Sequence, residues 1–451
     1  MNRLENIQNY YFVGIGGIGM SALARYFKLQ GKEVFGYDKT PSDITKNLIK
    51  EGISIQFDDD VSSLPVQIQN KENTLVVYTP AIPKKNRILT WFNAQEYFVT
   101  KRAQLLGEIS KNSICLAVAG THGKTTTSAI LGHLLADCNM PVTAFLGGIS
   151  ENYHSNLIYN GNDIMVVEAD EFDRSFLQLS PDIACITSMD ADHLDIYEDV
   201  SDLQKTFETF SELLPKEENL LFEKGLSLKG KSVSATEEAD FHAKNIRIEN
   251  GSYVFDLKTP SEEIKNLRFH LPGRHNMFNA VTALGMAILV GTPTDCLPKA
   301  LSSFKGVERR FSYKIKRDDL VLIDDYAHHP TEIDALFQAV TEMYPSKEKL
   351  IVFQPHLFTR TRDFATGFAR SLSQFDEVIL LDIYAAREDP IMGVTSSWLL
   401  DQIAVEYKKV VSKEDLPEEI KSSRSTVKLL VGAGDIGVEV EKITKYLSDE
   451  N

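Results

Sequence analysis

Residues 116–130 read LAVAGTHGKTTTSAI. An apolar run passes two glycines, reaches Lys124 and two threonines, and continues as a helical pattern. This is the strand–loop–helix context of a phosphate loop. The spacing is not the common G-x-x-x-x-G-K-[ST], because Val118 stands five positions before Gly123. By spacing alone the stretch is either a short-form nucleotide loop or a glycine turn that carries a lysine. In the first reading Gly120 and Gly123 let the backbone cradle phosphates, with Thr121, His122 and Thr126 beside them. Lys124 reaches the β- and γ-phosphates and Thr125 ligates Mg²⁺.

A second glycine loop lies upstream. Gly14, Gly16 and Gly19 in GIGGIGM satisfy G-x-G-x-x-G between a strand, YYFVGI, and a helix, GMSALARYFKL. Gly17, Ile18, Met20 and Ser21 complete the turn into that helix. Asp38 ends the next strand, where an acid is placed to bind a ribose hydroxyl. Alone, this loop indicates a diphosphate seat and suggests a nicotinamide-dependent oxidoreductase. Beside a γ-phosphate site it suggests two phosphate-bearing ligands brought together.

Short apolar runs alternate with longer helical patterns through the 451 residues, which indicates an α/β fold with mostly parallel sheets. The length implies about three domains. The boundaries read as 1–108, a Rossmann-like domain, 109–311, a P-loop ATPase-like parallel sheet, and 312–451, a second Rossmann-like domain. The stretch 216–268 reads as charged and loop-rich. The formal net charge of −16 argues against a nucleic-acid binder. No apolar run is long enough for a bilayer, so no membrane partner and a cytoplasmic location are expected. The four cysteines form no C-x-x-C pair and read as buried free thiols.

Polar residues gather at the C-terminal ends of the strands, the edge where open parallel sheets bind ligands. VVEADEFD puts Glu168 at such an end, suited to Mg²⁺. The other acids, Asp170, Glu171, Asp173, Asp190, Asp192 and Asp195, read as solvated. His193 follows the next strand and suits a metal or phosphate contact. His275 and Asn279 are four apart on a helix and so share a face. Arg309 and Arg310 sit at a domain junction. DDYAHHPTE and FQPHLFTRTRD add Asp324, Asp325, Tyr326, His328, His329, His356, Arg360 and Arg362, with arginine forks suited to a carboxylate.

GTHGKTTT, EADE, DADHLD, PGRHNMFNA, DDYAHHPTE and HLFTRTRD, in that order, resemble the Mur ligases of peptidoglycan synthesis across essentially the whole chain. The resemblance implies that the first domain seats UDP-N-acetylmuramate on Gly14, Gly16, Gly17, Ile18, Gly19, Met20, Ser21 and Asp38. It implies that the second binds ATP and Mg²⁺, and that the third brings the amino acid, L-alanine, to Tyr326, His328, His356, Arg360 and Arg362. By the same resemblance Lys124, His193 and Arg310 are catalytic, and Thr125, Glu168 and His193 hold the metal. His275 and Asn279 contact adenine, and Asp325 the ribose. The implied reaction phosphorylates the lactyl carboxylate and couples it to alanine. A peptide-recycling ligase of the same family is the alternative, and the implied assembly is a monomer or homodimer. The chain departs from the family at three places. Phe207 stands near the position of a carbamylated lysine, with Lys205 two residues away. Leu357 follows the histidine where an arginine is usual. Thr79-Pro80 replaces a small-residue pair.

Overall fold

The computed structural model describes Leu4, residues 6–190, Tyr197, and residues 199–249, 252–386 and 388–448. Three sheets follow the chain. The first contains β1 (Asn9–Val13), β2 (Glu33–Tyr37), β3 (Ser54–Gln56), β4 (Thr74–Tyr78) and β5 (Phe98–Lys101), in the order β3-β2-β1-β4-β5. All its pairs are parallel. Strands β1 and β4 are almost wholly buried and carry no polar alternation, as a strand covered on both faces requires.

The second sheet contains β6 (Ile114–Ala119), β7 (Val142–Ser150), β8 (Ser155–Tyr159), β9 (Ile164–Glu168), β10 (Ile183–Ile186), β11 (Leu220–Glu223), β12 (Lys231–Ser234), β13 (Phe241–Glu249), β14 (Ser252–Lys258) and β15 (Glu263–Phe269). Its order is β15-β14-β13-β12-β11-β10-β6-β9-β7-β8. Strand β6 lies between β9 and β10, both parallel to it. The third contains β16 (Ser312–Lys316), β17 (Val321–Asp325), β18 (Lys349–Phe353), β19 (Glu377–Leu380), β20 (Tyr407–Val410) and β21 (Val427–Val431), in the order β16-β17-β21-β18-β19-β20. Only β16 runs antiparallel to its neighbour there. The α/β class is as the sequence indicates. The region 216–268 is not loop-rich: it holds β11 to β15, and β15 sets exposed Glu263 and Lys265 beside buried Ile264 and Leu267.

Backbone contacts divide the chain into two compact units. One takes residues 1–247, 254–269 and 278–305; the other takes 248–253, 270–277 and 306–451. In the first, one apolar cluster runs from Tyr10 and Phe12 to Ala117 and Val167. Arg25 extends this join: it pairs with Glu51 at 2.9 Å and donates to Asn156. In the second, separate clusters cover the two faces of the third sheet. No described helix is long and apolar enough to cross a membrane.

The cysteines require a correction. Cys115 and Cys185 are buried and free, but Cys138 and Cys296 form a disulfide, with Cα atoms 5.6 Å apart. Cys138 ends the helix Lys124–Asp137 and Cys296 precedes the helix Leu297–Ser303, which pack together. Sequence spacing cannot reveal a pair separated by 158 residues. Burial pushes both free thiols up to about 12, so neither is a ready nucleophile. Denatured without reductant, the protein is expected to titrate two thiols, and four after reduction. Four thiols before reduction would remove the disulfide.

Candidate functional site

The phosphate loop leaves β6 and enters the helix Lys124–Asp137. Gly123 caps that helix with φ +82°, a left-handed conformation that favours glycine. Gly120 has φ +126°, and a Cβ there would lie 2.1 Å from Thr187 Oγ1 and 2.8 Å from two backbone nitrogens. No larger residue fits. The end of β10 braces the loop. Thr187 Oγ1 donates to Ala119 O at 3.0 Å, and Ser188 Oγ accepts from His122 N at 2.9 Å and meets Thr121 Oγ1 at 2.8 Å. Thr121 and Thr126 are buried.

Lys124 Nζ donates to Gly120 O at 2.6 Å and to both oxygens of Glu171 at 2.9 Å. Glu171 is wholly buried, not solvated as the sequence suggests. Burial pulls the Lys124 pKa down, but Glu171, Asp170 and Glu168 more than offset this and leave it above the usual range. The lysine is therefore a fixed positive charge at a helix N-terminus.

Glu168 ends β9 in register with Val118. Its Oε2 accepts from Thr125 Oγ1 at 3.2 Å, and its Oε1 accepts from Ser128 Oγ at 3.1 Å and Gly147 N at 2.5 Å. Burial pushes its carboxyl up, and these donors with Lys124 pull it back. A carboxylate and a hydroxyl so placed are hard oxygen donors, the kind Mg²⁺ takes while keeping waters. Among the described residues no three His, Cys, Asp or Glu gather as a metal cluster. His193, with Asp192 and Asp195, lies outside the described residues.

The other loop lies in the same unit. Gly14 has φ +87°, and a Cβ on it would press on Ile82. The loop opens the helix Ile18–Leu29, capped by Gly17. Asp38 Oδ2 accepts from Gly16 N at 2.7 Å, so this acid holds the loop shut from behind. Met20 and Ser21 turn inward: both are buried, and Ser21 Oγ donates to Ile18 O at 2.9 Å.

Asn279 is buried, and its amide lies against Gly123, where a Cβ would sit 2.5 Å from Oδ1. It thus touches the phosphate end of the loop. His275 is exposed on the first turn of the same helix, Arg274–Leu289.

In the second unit, Asp325 accepts from Phe311 N at 2.7 Å and Ala327 N at 2.8 Å. Arg310 stacks over the Tyr326 ring, 5.2 Å from its centroid. Arg309 lies over the same ring, 5.0 Å from its centroid, but has further contacts. It donates to Gly432 O at 2.5 Å, packs on Gly437 and lies 3.6 Å from buried Asp324, whose carboxyl burial pushes up to about 6. Arg309 therefore anchors the fold, and Arg310 is the arginine free of that anchor. Tyr326 and His328 form an edge-on pair at 5.4 Å, His328 and His356 one at 6.2 Å, and Arg360 Nη1 lies 3.3 Å from His356 Nδ1. Arg362 does not join them. It is half-exposed and bound to Asp363 at 2.7 Å. Leu357 has φ +71°, a strained backbone for a branched residue, at the cap of the helix Phe358–Asp363.

Family comparisons decide what carries these sites. Residues 9–113 match the model for "Mur ligase family, catalytic domain". Residues 118–287 match "Mur ligase middle domain" and 309–436 match "Mur ligase, glutamate ligase domain".

The chain belongs to the Mur ligase family.

Relatives agree along its full length. A UDP-N-acetylmuramate–L-alanine ligase of Christiangramia forsetii is 59% identical over 451 residues, covering 100% of both chains. One from Parabacteroides distasonis is 47% identical, covering 98% of each. The solved UDP-N-acetylmuramate–alanine ligase of Thermotoga maritima matches with TM-score 0.83 and 26% identity, over 98% of this chain and 100% of that one. A murein peptide ligase of Psychrobacter arcticus shares the Mur ligase fold at TM-score 0.70 and 19% identity, over 98% and 99%.

Within this Mur ligase, sequence reading missed Glu171, Thr187, Ser188 and Glu388. Glu388 accepts from Thr359 N at 3.0 Å and so ties down the helix that carries Arg360. The one available signal is position: Glu171, Thr187 and Ser188 follow strands that flank β6. At the position near a carbamylated lysine, Phe207 is fully buried against Phe176, and Lys205 is exposed.

Proposed function

We propose that this chain is an ATP-dependent ligase, with Mg²⁺ as cofactor, joining L-alanine to the lactyl carboxylate of UDP-N-acetylmuramate and releasing ADP and phosphate. The observation that carries the reading is the convergence of Lys124, Thr125 and Glu168 on one phosphate loop, in the same unit as a second glycine loop. The names of the full-length relatives support the choice of substrates.

The carboxylate is a poor electrophile. Its oxygen attacks the γ-phosphorus of ATP, giving an acyl phosphate and ADP. The alanine amine then attacks the acyl carbon, and phosphate leaves from a tetrahedral intermediate. Two anions must meet in the first step, so positive charge is the main requirement. Lys124 supplies it by turning from Glu171 toward the γ-phosphate. The backbone N–H groups at Gly123–Thr125 take the phosphate oxygens. Glu168 and Thr125 would hold Mg²⁺, which when bound would supply neutralisation of the phosphates. Asn279 fixes the loop at Gly123. Arg310, with Asp325, His275 and Tyr326, serves the nucleotide and acyl phosphate. His328, His356 and Arg360 receive the amino acid, whose carboxylate suits a guanidinium.

The test is phosphate release with UDP-N-acetylmuramate, ATP and Mg²⁺ scanned across amino acids. L-Alanine is expected to turn over fastest, with serine and glycine weaker. Turnover with a tripeptide alone would assign the peptide-recycling reaction instead. Tight NADH binding would point to an oxidoreductase.

A further inference from the structure

The first glycine loop has the backbone of an anion seat, but its own residues bring no positive side chain. The fold supplies one from elsewhere. Arg102 is the first residue of the helix Arg102–Ser110, which starts where β5 ends. Strands β1, β4 and β5 are parallel, so this helix begins on the same sheet edge as the loop after β1.

The Arg102 side chain crosses Gly19. A Cβ on that glycine would lie 2.9 Å from Arg102 Nη1 and 3.2 Å from its Cδ. In dinucleotide folds the third glycine lets helix and strand pack closely. Here it makes room for an arginine over the first turn of the helix Ile18–Leu29. The Arg102 side chain is 25% exposed, and its guanidinium carries five donors. Among the described residues its one polar contact is Asp170 Oδ2 at 3.6 Å, beyond hydrogen-bond length. A half-buried planar fork with donors that Asp170 does not take is suited to a bidentate anion arriving over the helix. The small cavity beside it is also lined by Glu168, Asp170 and Phe176, so it reaches the strand end that carries Glu168.

We propose that Arg102 binds the diphosphate of the sugar nucleotide, its planar fork meeting phosphate oxygens over the N-terminus of the helix Ile18–Leu29, and that Asp170 keeps it aimed before the substrate arrives. The proposal rests on the function proposed above. It deepens that reading by giving the sugar-nucleotide seat its countercharge and by linking that seat to the edge that carries Glu168.

The test compares wild type, Arg102→Gln and Arg102→Lys by calorimetric titration with UDP-N-acetylmuramate and with UDP-N-acetylglucosamine. The second ligand has the diphosphate but no lactyl carboxylate. Arg102→Gln is expected to weaken both about 10- to 100-fold, since one bidentate charged contact is lost. The lysine variant should recover part of the loss. The Michaelis constant for ATP should stay within about threefold, and thermal stability should hold or rise as a buried charge is removed. Unchanged affinity for both sugars overturns the proposal. So does a loss confined to UDP-N-acetylmuramate, which would put the lactyl carboxylate on Arg102, or an equal loss for ATP, which would mean general damage. If wild type binds neither sugar nucleotide, the proposed function falls and Arg102 with it. If wild type binds both and Arg102→Gln matches it, only the arginine assignment falls.

Discussion

Lys124→Ala is expected to lower phosphate release by roughly a thousandfold or more while leaving UDP-N-acetylmuramate binding within about threefold. The ammonium lies at the N-terminus of the helix Lys124–Asp137, where it would meet the γ-phosphate. Its charge acts mainly on the anionic transition state, so the loss should appear in kcat. The variant also has a structural effect that must be separated. Lys124 pairs with Glu171, which is wholly buried. Removing one partner of a buried pair destabilises by about 3–5 kcal/mol, because the remaining charge loses its counter-ion. The double variant Lys124→Ala/Glu171→Gln therefore should recover much of the thermal stability and none of the turnover. Recovered turnover in the double variant would mean that Lys124 serves only to neutralise Glu171. Loss of sugar-nucleotide binding in the single variant would mean that the two glycine loops do not serve separate ligands.

The legible parts of the fold are the buried parallel strands and the glycine turns. Strands β1, β6, β9, β10, β17, β18 and β21 are near-continuous apolar runs, and each ends in a polar or glycine-rich turn. Such runs arise because both faces of a parallel sheet are covered. Strands β11 to β15 lack that signature. Of these, β13 and β15 mix charged and apolar residues within a region rich in acids and lysines, and there the bulk polarity masked the strands. Side-chain roles were less legible than positions. Glu168 was readable because a strand end fixes it. Glu171, three residues later, lies in an irregular segment where Asp173 and Arg174 adopt positive φ, and nothing in the sequence tells which acids of EADEFD turn inward. Arg362 and Arg360 look equivalent in HLFTRTRD. They are two apart on a helix, so they point to different faces, and only Arg360 reaches His356. The Cys138–Cys296 bond had no local signal at all.

Glu168→Gln is expected to reduce turnover about 100-fold at ordinary Mg²⁺ and to raise the Mg²⁺ concentration needed for half-maximal rate. The substitution keeps the shape. A carbonyl oxygen at the Oε1 position still accepts from Ser128 and Gly147, and the new amide can donate to Thr125 Oγ1. The fold should therefore persist, with loss of the negative charge as the main change. Burial already opposes that charge, since it pushes the Glu168 carboxyl up. Lys124 and the three donors already oppose that upward push, and a bound Mg²⁺ would add to them. Gly147→Ala tests the same carboxylate from a second position. A Cβ on Gly147 would lie 2.4 Å from Glu168 Oε2, so it must displace the acid without removing it. Both variants should show the raised Mg²⁺ requirement, and excess Mg²⁺ should rescue Gly147→Ala more fully than Glu168→Gln. A fall in rate with no change in Mg²⁺ dependence in either variant would take Glu168 out of the metal's coordination and leave it as a brace for Thr125 and the start of the phosphate-binding helix.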